Sequence, residues 1–326
     1  MVKQCIGNAN YSYQDNQYPN PADSITSHFK TVKNRHYEYV LYNALAQHYL
    51  NKDRYRDSAN VYHAFTQVHS EHFQAPIFAV KQIDAFILRD FPTFVLPAKE
   101  KFVATYGIAG QFWLDWPIVL QEQVAPYLNE YLQELAQYEH SRGQLLYAES
   151  VKPVENNSDK NLASPQELQQ QATQALLTAA KWYQQFIETF PRDEQTPELT
   201  YRLGEALFEA KQFPESIQAF EGYAYQHTHP NAIITTANPK AAEAAYAAIL
   251  AYQQIQAQTT KPALPEVNHQ YENWLDKQLD AQQNFVKYFT EDPRAQSILY
   301  SSMQQLFELS RYELAISAAQ QLLDWQ

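Results

Sequence analysis

The residues between positions 197 and 223 carry the pattern that most constrains this chain. Two small residues and several large apolar ones stand at the places expected for two antiparallel helices in a unit of about 34 residues: Leu203, Gly204, Leu207, Phe213, Ser216, Phe220 and Tyr223. Such a hairpin cannot bury its apolar faces alone and must stack on neighbouring hairpins. We expect Gly204 and Ser216 to face each other where the helices cross, because only small residues let two helix backbones approach so closely.

The same pattern recurs elsewhere in the chain. A copy that starts at Tyr39 has the residues Tyr42, Leu45, Ala46, Tyr49, Tyr55, Ser58, Tyr62 and Phe65. A looser copy that starts at Gln296 has the residues Leu299, Ser302, Met303, Leu306, Tyr312, Ala315, Ala319 and Leu322. In the looser copy the bulky Met303 takes the place of Gly204. Copies in a common register predict a repeat protein rather than one globular core.

Two further segments show only the second helix of the unit, each with a proline at the same place. Their residues are Ala179, Tyr183, Phe186 and Pro191, then Ala281, Phe285, Tyr288 and Pro293. Candidate first helices lie upstream, at 125–144 and 239–256. A polar run near 149–163 and a proline-containing stretch near 257–267 separate the two parts. Because these stretches do not continue a helix, we interpret both segments as hairpins split by an insertion.

Composition and the remaining segments complete the predicted organisation. Residues 73–106 form a degenerate unit, because Pro92 and Pro97 distort its junction. Only 6 of the 326 residues are glycine, and alternating runs of valine and isoleucine are scarce, so little of the chain suits a β-sheet. The predicted fold is all-α, with about six helical hairpins over residues 36–326. Residues 1–35 lack a sustained helical period and are expected to be extended or poorly ordered.

The repeated pattern resembles that of tetratricopeptide-repeat (TPR) proteins, in particular those of the bacterial envelope. In that group the place of Phe186 is aromatic, and the second helix ends in an aromatic residue followed by proline, as in Phe190-Pro191. The resemblance implies a right-handed superhelical solenoid of TPR-like hairpins. It also implies a role in protein–protein interaction and a periplasmic or outer-membrane-associated location.

The two ends of the chain bear on location and assembly. The first four residues do not form an apolar leader, so a cytoplasmic location is the alternative. Cys5 is either a lipidation site, as at the start of bacterial lipoproteins, or an incidental free thiol. The last repeat stops near Gln326 without the polar cap that terminal repeats usually have. We therefore expect an assembly surface on that repeat.

Several functional classes are not predicted. The net charge of −12 and the absence of a basic cluster argue against a nucleic-acid partner, and no apolar stretch predicts a membrane span. No catalytic or cofactor-binding motif is present, so the chain is not predicted to be an enzyme. The densest histidine groups do not supply three or four converging ligands, so no metal site is predicted; they are His63, His69 and His72, and the pair His227 and His229.

The first helices of a TPR solenoid line a concave groove, and the resemblance implies which side chains point into it. They are Asn43, Gln47, Asn51, Tyr201, Glu205, Phe208, Tyr300, Gln304 and Phe307. Amides can pair with a peptide backbone and rings can hold its side chains. The predicted function is a non-enzymatic scaffold that binds a peptide segment or partner protein in a bacterial envelope assembly. The alternative is an accessory protein for polysaccharide binding or export, suggested by 24 tyrosines and 5 tryptophans.

Overall fold

A computed structural model describes residues 25, 37–108, 110, 117–152, 163–225, 239–258 and 269–325. These residues contain helices and no strand, which confirms the all-α prediction for them. The helices are α1 (Glu38–Leu50), α2 (Tyr55–Val68), α3 (Ala75–Ile87), α4 (Pro92–Tyr106), α5 (Ile118–Ser150), α6 (Pro165–Thr189), α7 (Thr196–Glu209), α8 (Phe213–Tyr225), α9 (Pro239–Gln258), α10 (His269–Tyr288), α11 (Ala295–Glu308) and α12 (Tyr312–Leu323).

Some sequence predictions fall outside the described residues. These are the segment 1–35 apart from Ile25, including Cys5, most of both insertions, and the pair His227 and His229. In the chain order, residues 151–164 separate α5 from α6, and residues 259–268 separate α9 from α10.

The chain divides into two compact units, Met1–Leu135 and Ala136–Gln326, with the boundary inside α5. Within each unit, helices that follow one another in the chain pack against each other. The pair α7–α8 is antiparallel, because Phe208 contacts Phe213 beside the turn while Tyr201 contacts Tyr223 at the far end. Consecutive helices of this kind form helical hairpins.

Residues 73–106 form such a hairpin in spite of Pro92 and Pro97 at and after its junction. Pro92 is the first residue of α4, where a backbone N–H has no partner within the helix and its loss does no harm. Pro97 lies inside α4, which nevertheless continues to Tyr106. Packing against α3 therefore outweighs the local effect of the second proline.

Four hairpins close with the same turn. The residue two places before the second helix has a φ between 54° and 61° in each of them, namely Asp53, Asp90, Lys211 and Ser310. The N–H of the following residue donates to the carbonyl five residues earlier, at 2.8 to 3.0 Å, which is the pattern of a Schellman motif. Glycine is the usual residue at this place. Because none of the four is glycine, the turn could not be recognised in the sequence.

A second turn recurs between hairpins, after α2, α6 and α10. In each, the carbonyl of a buried phenylalanine accepts a 2.8 Å hydrogen bond from the backbone N–H of the residue four places later. The three phenylalanines are Phe65, Phe186 and Phe285. The residue seven places after the phenylalanine is His72, Asp193 or Asp292. Its side chain accepts a hydrogen bond from the backbone N–H of the residue two places after itself. The equal spacing places all three junctions in one register.

This register corrects one sequence prediction. The sequence pattern aligns Pro191 with Pro293, which makes Tyr288 the counterpart of Phe186. The hydrogen bonds instead make Phe285 the counterpart of Phe186, three residues earlier. Pro191 directly follows the residue that caps α6, whereas Pro293 lies deeper in the turn before α11. The two prolines are therefore not equivalent.

Glycines mark close contacts between helices. As predicted, Gly204 and Ser216 meet, because the buried Ser216 hydroxyl donates to the Gly204 carbonyl at 2.9 Å. A Cβ atom at Gly204 would lie 2.6 Å from the Phe220 ring. The sequence analysis missed a second contact of this kind. A Cβ atom at Gly143 of α5 would lie 2.6 Å from Cγ of Leu176 in α6.

The main core of the second unit lies between α8 and α9. These two helices pack closely along their length. The face of α9 that takes part is rich in alanine, with Ala244, Ala245, Ala248 and Ala251 all buried. They belong to the same cluster as the buried Phe213, Ile217 and Phe220 of α8. Small side chains on α9 thus allow close contact with the large ones on α8.

Candidate partner-binding site

The helix α7 contacts both α5 and α9 along one face of the second unit. Gln144 of α5 donates from Nε2 to Oε1 of Glu209 at 2.9 Å. At the other end of α7, Lys240 of α9 forms an ion pair with Glu198. Side chains of these three helices therefore meet on one surface.

A pocket of about 480 Å³ opens on this surface. It is lined by Gln144, Tyr147, Leu176, Phe208, Glu209, Lys211, Phe213 and Gln254. A second pocket of about 510 Å³ adjoins it and shares four of these residues. We call the two pockets together the α7 groove. Its volume and its mixture of rings with a few polar groups are typical of ligand sites in proteins.

The second pocket adds a wall of amides to the α7 groove. The wall consists of side chains on the first turns of α6, namely Gln166, Gln169, Gln170 and Gln174. The helix begins with a capping box in which Ser164 and Glu167 exchange hydrogen bonds. The cap starts α6 firmly at this place. The glutamines are therefore held on a regular helix.

Of the predicted residues on α7, only Phe208 lines the groove. Its ring packs edge-on against Phe213 at 5.4 Å between centroids. Tyr201 instead packs against Phe220 at 5.7 Å, with Nζ of Lys240 5.7 Å from its ring centre. Burial raises the pKa of Tyr201 to about 12. Tyr201 is thus chiefly a packing residue.

The charged side chains that line the groove are Glu209 and Lys211. Burial alone would raise the pKa of Glu209, but hydrogen bonds from His140 and Gln144 outweigh it and hold this pKa below its usual value. Glu205, one turn earlier, accepts a hydrogen bond from Arg202 at 2.8 Å. A carboxylate therefore stands beside the rings of the groove at neutral pH.

The predicted residues on α1 belong to the first unit, and two of them bind neighbouring side chains. Oδ1 of Asn43 accepts from Nζ of Lys81 at 2.9 Å and from the Tyr62 hydroxyl at 3.3 Å. Nε2 of Gln47 donates to the same hydroxyl at 3.0 Å. Asn51 is exposed and caps the end of α1 with its backbone. The amides of Asn43 and Gln47 thus join α1 to α2 and α3.

The predicted residues on α11 are exposed. Nε2 of Gln304 donates to the Tyr300 hydroxyl at 3.0 Å. The ring of Phe307 packs against Tyr312 at 5.6 Å, and both border a pocket of about 550 Å³ between α11 and α12. This surface is separate from the α7 groove in its lining residues.

The open face of α12 has a covered counterpart inside the second unit. The shared turn geometry makes Tyr312 and Ile316 the counterparts of Phe213 and Ile217 on α8. The two α8 residues are only 5% and 3% exposed, because α9 packs over them. The two α12 residues are 54% and 58% exposed. We call this face, formed by Tyr312 and Ile316 together with Leu323 two turns after Ile316, the α12 stripe.

The sequence analysis missed most of the groove. Tyr147, Gln144 and Gln254 lie on the first helices of the two split hairpins, whose register was not established. Gly143 was the available signal. It marks the closest contact of α5 with α6, as Gly204 does for α7 with α8, and would have placed α5 in register.

Metal sites and membrane spans are two further features that the described residues can be searched for. In the described parts of the chain, no three His, Cys, Asp or Glu side chains lie close enough together to hold a metal. His69 instead pairs with Glu38 at 3.0 Å, in a largely buried contact. Among the helices of the described ranges, none has the length and hydrophobicity needed to span a bilayer. No protein-family model matches this chain, and no curated protein matches it significantly.

Proposed function

We propose that this chain is a solenoid of TPR-like hairpins that acts as a non-enzymatic scaffold and binds a peptide segment or partner protein. Two observations support the architecture, namely the turn repeated within hairpins and the turn repeated between them. The observation that carries the binding role is the α7 groove, which side chains of the helices α5 to α9 line with rings and amides.

The groove suits an extended segment with an apolar anchor residue. Tyr147 is 52% exposed and lines the same pocket as Phe208, so an apolar side chain that enters the pocket can contact both rings. Gln144 and Gln254 border the same space and can pair with a peptide backbone. Aromatic residues at the centre of a pocket supply most of the binding free energy in such sites. The carboxylate of Glu209 and the ammonium group of Lys211 can each pair with a group of opposite charge beside the anchor.

Photo-crosslinking tests this role. A benzophenone amino acid at Gln254 of the full chain, another residue that lines the groove, would be activated by light in the source cells, and the trapped protein identified by mass spectrometry. We expect the same partner to be captured less by Tyr147→Ala and by Phe208→Ala. Tyr138→Ala is the matched control, because Tyr138 is 46% exposed on the same helix but does not line the groove. Equal capture by all variants would remove the groove from the proposal.

Polysaccharide binding is the second candidate, and the amide wall of α6 favours it. Gln166, Gln169 and Gln170 beside the Tyr147 ring provide amides for sugar hydroxyls and a flat face for a sugar ring. A glycan array distinguishes the two candidates. Glycan binding that is lost in Tyr147→Ala would replace the peptide role.

We also propose that the α12 stripe is an assembly surface for an amphipathic helix with a small-residue face. The support is internal, since α9 presents such a face to the equivalent residues of α8. A labelled peptide with the sequence of residues 239–258 is therefore a suitable probe. We expect it to bind the full chain, and Ile316→Glu to abolish binding. Val119→Glu, at a 64% exposed residue of α5, is the control.

A bacterial envelope location completes the proposal, with the cytoplasm as the alternative. It rests on the aromatic residue and proline at the end of α6, Phe190-Pro191, which resemble those of envelope TPR proteins. Fractionation of the source cells with an antibody to the chain tests it. Recovery only with cytoplasmic markers would contradict the envelope location.

A further inference from the structure

A smaller pocket lies in the first unit, among α2, α3 and α4. Its volume is about 220 Å³. The buried rings of Phe102 and Tyr106 contribute to its lining, together with Ala79 and Ala98. These side chains provide an apolar surface that a ligand with a hydrophobic body can contact.

Among the described residues that line this pocket, none carries a carboxylate. Lys101 supplies the one formal charge among the lining residues, and the other polar groups are neutral hydroxyls and amides and the imidazole of His63. In a chain with a net charge of −12, a pocket lined by a cation and no acidic side chain favours an anionic ligand over a cationic one.

The groups around Lys101 are held in place by the helices. The side chain of Gln82 hydrogen-bonds to the imidazole of His63 across α2 and α3. Thr66 donates to the carbonyl of His63 at 2.9 Å, and Thr105 donates to that of Lys101 at 2.8 Å. The hydroxyl protons of both threonines are thus engaged, which leaves the ammonium group, the imidazole, the amides and the Ser70 hydroxyl as the donors.

Burial and the charge of Lys101 both lower the pKa of His63. The imidazole is therefore neutral at neutral pH, and it can donate or accept only one hydrogen bond at each nitrogen. Lys101 alone is then the group that attracts a negative charge into the pocket.

We propose that this pocket binds a small carboxylate with an apolar body, held by Lys101 at the polar side and by Phe102 at the apolar side. The ammonium group bonds the carboxylate oxygens, a charge-assisted contact that is stronger than a neutral hydrogen bond. The volume of about 220 Å³ restricts the bound part to the size of a single ring with a carboxylate. Such a group occurs in free aromatic acids and at the C terminus of a peptide that ends in phenylalanine.

Isothermal titration of the full chain with benzoate tests the proposal, with benzamide as the neutral analogue of the same shape. We expect benzoate to bind and benzamide to bind at least about tenfold more weakly. Lys101→Met is expected to weaken benzoate binding by about tenfold or more. Lys52→Met is the matched control, because Lys52 is an exposed lysine of the same unit outside the pocket. This variant should bind benzoate with the affinity of the wild type.

A second variant separates the place of binding from the charge. Thr105→Phe adds a ring at an exposed lining residue without changing the charge, and it should also abolish benzoate binding. Both lining residues that are changed are exposed, so melting temperatures near that of the wild type will show that the fold is kept. Absence of benzoate binding, equal binding of benzamide, or unchanged binding in Lys101→Met or Thr105→Phe would each overturn the proposal.

Peptides then distinguish the two sources of the carboxylate. The tripeptide Gly-Gly-Phe with a free C terminus is compared with its C-terminal amide and with benzoate. Tighter binding of the free peptide than of benzoate, lost on amidation, would support a peptide terminus as the ligand. Binding of benzoate alone would support a free aromatic acid.

Discussion

The Ser216 hydroxyl donates a hydrogen bond to the backbone carbonyl of Gly204, with 2.9 Å between the two oxygens. The contact joins α8 to α7 at a place where neither residue can be larger. The Phe220 ring lies directly over Gly204. The two helices therefore approach each other closely at this place, where a larger side chain would not fit.

Gly204→Ala tests this contact by the sign of its effect. Alanine is a better helix former than glycine by about 1 kcal/mol, so the change would stabilise a helix with free space. We expect the free energy of unfolding to fall by about 1 to 3 kcal/mol instead, because the new Cβ would lie 2.6 Å from the Phe220 ring. Urea denaturation measures the change, and a gain in stability would contradict the contact.

Ser216→Leu should destabilise the chain for the same reason. Ser216 is fully buried, and a leucine side chain would have to push α7 and α8 apart. The hydrogen bond to Gly204 would also be lost, which adds about 1 kcal/mol. Ser317→Leu is the control, because Ser317 is exposed on α12. Equal melting temperatures for the two variants would show that Ser216 is not confined.

Lys211→Gly should stabilise the turn between α7 and α8. Lys211 has a φ of 61°, a conformation that costs a residue with a Cβ about 1 to 2 kcal/mol. Glycine removes this cost but loses about 0.5 to 1 kcal/mol through the entropy of the unfolded chain. We therefore expect a net gain of up to about 1 kcal/mol.

The matched control for that turn is Lys181→Gly. Lys181 is an exposed residue inside α6, where glycine lowers the free energy of unfolding by about 1 kcal/mol. The two lysine-to-glycine changes should thus have opposite signs in thermal denaturation. A loss of stability in both would show that the turn does not favour glycine.

Glu221→Gln should stabilise the chain at neutral pH. The Tyr252 hydroxyl donates to Oε1 of Glu221 at 3.1 Å, but burial outweighs this bond and raises the pKa of Glu221. A carboxyl group with a raised folded pKa contributes stability below its unfolded pKa and loses it as pH rises through the folded pKa. The charged form is thus the unfavourable one, and glutamine can still accept from Tyr252.

The pH dependence of unfolding checks this expectation. The difference between wild type and Glu221→Gln should be greatest at about pH 7 and should vanish near about pH 3, where the wild-type carboxyl is protonated. A variant that is less stable than the wild type at neutral pH would show that the charge of Glu221 is favourable.

Asp292→Asn should have the opposite dependence on pH. The Arg294 guanidinium bonds both carboxylate oxygens at 2.7 and 2.8 Å, and its backbone N–H adds a third bond. The side-chain bonds to Arg294 are the main reason that the pKa of Asp292 is lowered. Stability from this group is present above its unfolded pKa and is lost as pH falls through the folded pKa.

We expect Asp292→Asn to lower the free energy of unfolding by about 1 to 2 kcal/mol at neutral pH. The loss should disappear in strong acid, where the wild-type carboxyl is protonated too. Asp280→Asn is the control, because Asp280 is exposed on α10 and should change stability by less than about 0.5 kcal/mol. A penalty for Asp292→Asn that persists at low pH would show that the ion pair with Arg294 is not its cause.

The hairpins were predictable because their packing follows local spacing. Small and large residues repeat at Gly204, Ser216 and Phe220, and helix periodicity alone brings such places together. The turns were not predictable, since Lys211 and Ser310 occupy a conformation that usually needs glycine. The sequence pattern made Tyr288 rather than Phe285 the counterpart of Phe186, an error of three residues. It relied on Pro293, which has no counterpart in the turn after α6.

The candidate site was predicted only in part. Phe208 was identified from its place on α7, and it lines the groove. Tyr147 and Gln254, which also line it, come from helices on the far side of an insertion or of a complete hairpin. Local spacing carries no information on how such segments align. The predicted amides Asn43 and Gln47 bind Tyr62, a pairing that depends on the approach of α2.

By itself, the amino-acid sequence determined that this protein is helical and which residues meet where α7 crosses α8, because both depend on side-chain size at fixed intervals along one short segment. Only the tertiary structure decided where α5, α7 and α9 come together and which of their side chains remain open to a ligand. That outcome depends on how each turn directs the next helix. A groove shared by three helices is thus a property of the accumulated turn geometry rather than of any single segment.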